Sequence, residues 1–195
     1  MPFDCRAERL SPYFVRLLFE GDINPSLTRY LVEISKRLAQ IEDIKEVTHG
    51  YRTLLVETTL PPEEVRDCVG RILPLESLEE AIQVHELEVD YDGPDLKFVA
   101  AHLGCSVEEV IIRHAGNYHV VALGSPGFIY LSLTRELTVP RLDTPRRRVP
   151  PGAVGIAGKQ TGIYGSERPG GWRIIGNCAT FPPMQPGNEV RFHPA

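Results

Sequence analysis

The chain is short of the residues that most readily declare a chemistry. Its four cysteines, Cys5, Cys68, Cys105 and Cys178, include no C-x-x-C pair, and no histidine spacing completes a zinc set. A metal on this chain is therefore not expected. Glycine is nearly missing from residues 1–84, which hold three of the 17. The first ten residues, M-P-F-D-C-R-A-E-R-L, are too charged for a secretory signal. The longest uncharged run, residues 114–134, is interrupted by Asn117, Gly124, Ser125, Pro126 and Gly127. It reads as strand, turn, strand, and no transmembrane helix is expected. Together these features predict a cytoplasmic protein with reduced thiols and no membrane association.

Glycine and charge both divide the chain. Residues 1–84 carry 10 Lys+Arg against 15 Asp+Glu, whereas residues 85–195 carry 11 of each. Within the second part, residues 135–173 hold eight basic and three acidic side chains. With 42% hydrophobic residues, 195 positions suffice for two small cores. The expected organisation is α+β, with domains at 1–84 and 85–195.

In the first part, residues 12–20 form an apolar β-rich run, and Asn24-Pro25 is a helix start. Leu27, Leu31, Ile34, Leu38 and Ile41 recur at helical spacing. Strands are expected at 44–48 and 52–58. A second helix opens at Pro61-Pro62, and a strand at 85–91 alternates His85, Leu87, Val89 and Tyr91 against Glu86, Glu88 and Asp90. The order β-α-β-β-α-β is the ferredoxin-like, split βαβ plan. In the second part, Leu96, Val99, Ala100 and Leu103 mark a helix ended by Gly104. Ser106-x-x-Glu109 is a capping box for another. Glu108 and Glu109 in that second helix's first turn would repel phosphates, so the pair is structural and no nucleic-acid partner is expected. From residue 118 onward, short strands separated by Gly/Pro turns indicate a β-barrel or sandwich.

The densest stretch is residues 149–176, V-P-P-G-A-V-G-I-A-G-K-Q-T-G-I-Y-G-S-E-R-P-G-G-W-R-I-I-G. Gly158-Lys159 is not a Walker A loop, because Ala153 and Gln160 stand where glycine and Ser/Thr are needed. Gly124-Ser125-Pro126-Gly127 is not a nucleophile elbow, and no triad or carboxylate pair can be assembled. What remains is a binding surface. Arg141 and Arg146 can fork onto a carboxylate or phosphate. Gln160 and Thr161 can read an amide, and Tyr164 and Trp172 can wall an apolar ring, with a core residue of the barrel as the alternative for Trp172. His114, at a helix-to-strand change, is the candidate general base, with a structural histidine as the alternative.

These residues also carry a resemblance. His114, the P-G-F-x-Y-L run at 126–131, P-R-x-x-x-P-R at 140–146, V-G-I-A-G-x-Q-T-G-I-Y at 154–164 and P-G-G-W-x-x-I-G at 169–176 resemble the family of 5-oxoprolinase B subunits. G-Y-R-T-L-L-V at 50–56 and Y-D-G-P-D-L at 91–96 fit as well. The family is also described as allophanate hydrolase subunit 1-like, or carboxyltransferase subdomain C and D, and includes the kinase inhibitor KipI. The chain departs from it in a shortened Gly124-Ser125-Pro126 loop, in Ser132, and in a leader at residues 1–10. The resemblance implies a ferredoxin-like domain at 1–84 and a cyclophilin-like β-barrel at 85–195. It implies partnership with the C subunit and a LamB/YcsF-type A subunit of 5-oxoprolinase, and ATP use by the complex, with no biotin on this chain. The alternatives within the resemblance are a regulator docking on a histidine kinase and a urea or allophanate carboxyltransferase component.

Overall fold

The computed structural model describes residues 3–72, 82–124, 127–133 and 137–195, with backbone only at 132 and 133. The shortened Gly124-Ser125-Pro126 loop falls partly outside these residues, as does the side chain of Ser132. The chain forms two compact units, meeting in sequence between Ala81 and Ile82.

The first unit is a four-stranded antiparallel sheet with two helices. Its elements are β1 (Cys5–Ser11), β2 (Phe14–Phe19), α1 (Pro25–Leu38), β3 (Ile44–His49), β4 (Thr53–Thr58) and α2 (Pro62–Ile72), in sheet order β1-β2-β4-β3. Helix α1 starts where its sequence dictates: the Asn24 side chain accepts from the Leu27 N–H, and Pro25 follows. Leu27, Leu31, Ile34 and Leu38 are fully buried. Each such burial is worth about 1.5–3 kcal/mol, against about 1 kcal/mol for the cap, so the apolar stripe decides the helix. It packs with Val15, Leu17 and Phe19 of β2 and Leu54 and Val56 of β4.

The expected split βαβ plan is corrected here. The strand read at 85–91, observed at Val84–Val89, does not close this sheet; it joins the second unit. The fourth strand is instead β1, taken from the sequence as a leader. Its pattern C-R-A-E-R-L-S is charged because it is an edge: Arg6 pairs with Glu20 and Arg16 with Glu8 across the exposed side. Edge strands often carry such charges, which hides them from a search for apolar runs.

The second unit contains β5 (Val84–Val89), α3 (Leu96–Leu103), α4 (Val107–His114), β6 (Gly116–Gly124), β7 (Phe128–Leu133), β8 (Arg146–Val149), β9 (Ala153–Ala157), β10 (Gln160–Tyr164), β11 (Arg168–Gly170), β12 (Arg173–Asn177) and β13 (Glu189–Pro194). Seven strands form one sheet in the order β12-β9-β10-β7-β6-β13-β5, and β8 and β11 form a separate ribbon. Only the β13–β5 pair in that sheet is parallel. The sheet curls until its two ends meet, where Asp90, just past β5, bridges Asn177 at the end of β12. Helix α3 ends at left-handed Gly104, and α4 opens with the reciprocal Ser106–Glu109 capping box, as their sequences require.

Both faces of the strands β7, β9, β10 and β12 are covered, and strict alternation sorts the side chains. Ile129, Leu131, Val154, Ile156, Ile163 and Ile175 enter the main core. Phe128, Ala153, Ala157, Tyr164 and Ile174 form a second cluster with Trp172 on the opposite face. Between α3 and that second face sits Asp95, whose side chain is 8% exposed. One carboxylate oxygen accepts from Arg146 at 2.9 Å and the other from the Ile174 N–H at 2.6 Å. Arg173, 13% exposed, lies 3.9 Å away.

Removing that carboxylate strands the buried Ile174 N–H and takes from Arg146 its ion-pair partner. We expect Asp95→Ala to cost about 2–4 kcal/mol of stability, read by urea unfolding. Arg148→Ala, at 81% exposure and 3.7 Å from Glu167, should change stability by less than about 0.5 kcal/mol. Equal effects from the two would remove Asp95 from its place as a structural clamp.

Candidate functional site

The second cluster opens into a pocket. Strand β10 runs antiparallel to β7 with Tyr164 opposite Phe128 and Gly162 opposite Tyr130. Tyr130 lies two residues beyond Phe128, hence on the same face. The absent side chains matter as much as the present ones. A Cβ on Gly162 would sit 2.6 Å from the Phe128 ring, and one on Gly170 would sit 2.1 Å from the Tyr164 hydroxyl oxygen. Only glycine lets those two rings lie against backbone. Ring centroids of Phe128 are 4.5 Å from Tyr130, 4.7 Å from Tyr164 and 4.9 Å from Trp172. Edge-to-face pairs of this kind add about 0.5–1.5 kcal/mol each beyond area burial.

Two arginines complete the pocket. The Arg141 guanidinium is 5.7 Å from the Trp172 ring centroid, and that of Arg168 is 5.8 Å from Phe128. The loop carrying Arg141 is tied to the Trp172 segment by backbone. Leu142 N–H donates to Gly171 O at 2.8 Å, and Arg173 Nε donates to Pro140 O at 3.2 Å. The resulting cavity, about 330 Å³, is walled by the four rings, rimmed by Pro145 and Pro169, and carries Arg141 and Arg168. Burial raises the Tyr164 phenol above its ordinary value of 10, while a Trp172 backbone hydrogen bond and the charges of Arg168, Arg141 and Arg146 pull it down. The arginines thus bring positive potential to a pocket of mixed aromatic and polar lining.

Two other described cavities are less suited to a small anion. One of about 570 Å³, between Leu123, Ile129, Phe181 and Met184, has no charged lining residue. One of about 370 Å³ is lined by Glu86, Glu88 and Asp90, which repel an anion.

The sequence matches the family described as carboxyltransferase domain, subdomain C and D, over residues 6–188. The chain belongs to this family. The match begins inside β1, so that strand is part of the carboxyltransferase domain match and not a leader. Among relatives, the 5-oxoprolinase B subunit of Escherichia coli O157:H7 is 35% identical over 199 residues, covering 92% of this chain and 91% of that protein. The crystal structure of TTHA0988 is 33% identical with a TM-score of 0.76, covering 94% of this chain. This chain spans 40% of that protein's length. The Kluyveromyces lactis urea carboxylase structure, at 15% identity, shares the fold with a TM-score of 0.78 over 98% of this chain and 22% of its own.

Within the carboxyltransferase domain, the residues singled out from sequence separate into two groups. Arg141, Tyr164 and Trp172 line the pocket. Arg146 does not; its fork is taken by Asp95 and by the Trp172 carbonyl at 3.3 Å. Gln160 donates to Leu131 O at 3.2 Å at the far end of β10. Thr161 is fully buried on the main-core face, the opposite side of the strand from Tyr164. Gly158-Lys159 is the two-residue turn of the β9–β10 hairpin, which leads into a strand, and so does not fit a nucleotide phosphate. Phe128, Tyr130 and Arg168 also line the pocket; Arg168 belongs to the dense stretch at 149–176, and sequence reasoning misses Phe128 and Tyr130. The i, i+2 aromatic pair on β7 is the available signal.

His114 is also away from the pocket. It is fully buried, 2.8 Å from Thr161 Oγ1 through Nε2 and 2.7 Å from the Tyr91 hydroxyl through Nδ1. Thr161 donates its only hydroxyl proton to Gly155 O. His114 Nε2–H must then donate to Thr161, and Nδ1 accepts from Tyr91. This neutral tautomer fits its burial, which pushes its pKa down to about 3. With both ring nitrogens paired in the interior, His114 holds α4 against β10.

Burial also lowers His49, in the first unit, to about 4 from an ordinary 6.5. Below pH 6.5 the unfolded chain takes up protons that these folded imidazoles refuse. Stability therefore falls as pH drops through 6.5 toward 4, by about 2 kcal/mol per histidine at pH 5. Urea unfolding at pH 7 and pH 5 measures this, and His114→Gln should flatten the slope. An unchanged slope in that variant would contradict the neutral, buried assignment.

Proposed function

We propose that this chain is the B subunit of an ATP-dependent 5-oxoprolinase. With a LamB/YcsF-type A subunit and the C subunit, it converts 5-oxo-L-proline to L-glutamate. The observation that carries this reading is the near end-to-end match, at 35% identity, to a protein named as the B subunit of 5-oxoprolinase. The likeness to urea carboxylase rests on fold alone. We read the second unit as the cyclophilin-like barrel of such subunits, supported by the curled seven-stranded sheet whose ends meet at Asp90 and Asn177. The four cysteines are free thiols, and no helix among the described residues is long and apolar enough to cross a membrane. Both are consistent with a cytoplasmic complex.

Opening an unstrained lactam adds water across a resonance-stabilised amide, and coupling to ATP supplies the missing drive. ATP is used by the complex, and the Gly158-Lys159 turn of this chain, a hairpin tip, is not the loop that holds its phosphates. The contribution of this chain is binding: its second-unit pocket presents arginine and aromatic rings, while its buried histidine is committed to the core.

The reading is tested by glutamate release from 5-oxo-L-proline and ATP. The purified chain should release none, the A and C subunits without it should be inactive or nearly so, and the three together should be active. Glutamate from this chain alone, or full activity from the other two without it, would overturn the proposal.

A further inference from the structure

We infer that the aromatic–guanidinium pocket is a site for a small planar amide acid, 5-oxo-L-proline in particular, and that this chain fills it without nucleotide or partner. The carboxylate goes to Arg141, the flat lactam ring to the wall formed by Trp172 and Tyr130, the most exposed of the pocket's aromatic side chains. This deepens the oxoprolinase reading and rests on it for the choice of ligand.

The chemistry of the walls selects the class. At about 330 Å³ the cavity is at the small end of ligand sites. Four aromatic side chains line it, with Tyr130 the most exposed, which favours a flat ligand over a branched or fully hydrated one. Aromatic boxes otherwise suit cations, but here guanidiniums already lie 5.7 Å from Trp172 and 5.8 Å from Phe128. A second cation would be repelled, and no carboxylate among the described residues lines the pocket to offset it. A polyphosphate is disfavoured too, because among the described residues the lining carries two cationic side chains, Arg141 and Arg168, against its several charges. A ligand with one carboxylate and one flat ring meets both requirements. The Arg141 loop is fixed to the Trp172 segment by the Leu142–Gly171 hydrogen bond, so fork and ring are held together before the ligand arrives, which lowers the ordering cost of binding.

The molecule carries its own reporter. Trp172 is the sole tryptophan, 6% exposed and on the pocket wall. Titrating the purified chain with 5-oxo-L-proline, without ATP, should give a saturable change in its fluorescence, with equilibrium dialysis of labelled ligand as the second readout. 2-Pyrrolidinone, which has the ring without the carboxylate, and acetate, which has the carboxylate without the ring, should each bind at least about tenfold more weakly. Arg141→Met should weaken 5-oxoproline binding by about tenfold or more with an unchanged melting temperature, because Arg141 is exposed. Arg148→Ala should bind as the parent does. No bound ligand by dialysis, equal binding of 2-pyrrolidinone, or an Arg141→Met variant that binds normally would overturn the inference. The two readings fail separately. Ligand binding without glutamate formation on adding the A and C subunits sinks the oxoprolinase role and leaves the site. Glutamate formation with a pocket that ignores 5-oxoproline does the reverse.

Discussion

The rings of Phe128 and Tyr164 rest against backbone at Gly162 and Gly170, at distances no Cβ would permit. That close approach sets the geometry of the second unit's outer face. It turns what would be the solvent side of β7 and β10 into a second apolar layer, so these strands are covered on both faces. Trp172 then closes the layer, and the Pro140–Arg141 segment is drawn over it. The high glycine content of residues 149–176 thus has a packing cause: aromatic area is gained where side chains have been removed.

A second constraint holds this arrangement to the rest of the unit. Asp95 stands at the start of α3 and receives Arg146, the Ile174 N–H and, at longer range, Arg173. Arg173 also lies 3.7 Å over the Phe98 ring. One buried carboxylate therefore joins helix α3, strand β12 and the ribbon strand β8. On the other side of the sheet, the Tyr91–His114–Thr161 chain does the same for α4 and β10. Polar groups this deeply buried cost several kcal/mol if left unpaired. Their pairing explains why an arginine, a threonine and a histidine that look functional in sequence are spent on positioning.

Much of the fold was legible because local signals agreed. The Asn24-Pro25 start and four of the five spaced apolar residues define α1, with Ile41 falling past its end at Leu38, and a glycine stop with a capping box defines α3 and α4. Period-2 alternation finds the strand at 84–89, but alternation does not say which sheet a strand joins, and the parallel pairing with β13 is set by tertiary contacts. Strand β1 was hidden by its charged edge. For the site, sequence adjacency misled: Gln160, Thr161 and Tyr164 are neighbours in the chain, yet strand alternation sends Thr161 and Tyr164 to opposite faces. Arg146 was separated from its purpose by the 51 residues to Asp95. Arg141, from a Pro-Arg pair, and Tyr164 and Trp172, aromatics among glycines, do share one pocket. Phe128 and Tyr130 were missed because their partners lie more than 30 residues on.

The central claim is that the working surface is the face of the sheet bearing Tyr164 and Trp172, not the hairpin tip around Gln160 and Thr161. The most direct measurement is a crystal structure of the chain grown with 5-oxo-L-proline. The account predicts ligand density against the Trp172 and Tyr130 rings with its carboxylate on Arg141, and an unaltered Asp95–Arg146 pair. Ligand density at the Gln160–Thr161 end, with the aromatic pocket empty, would contradict it.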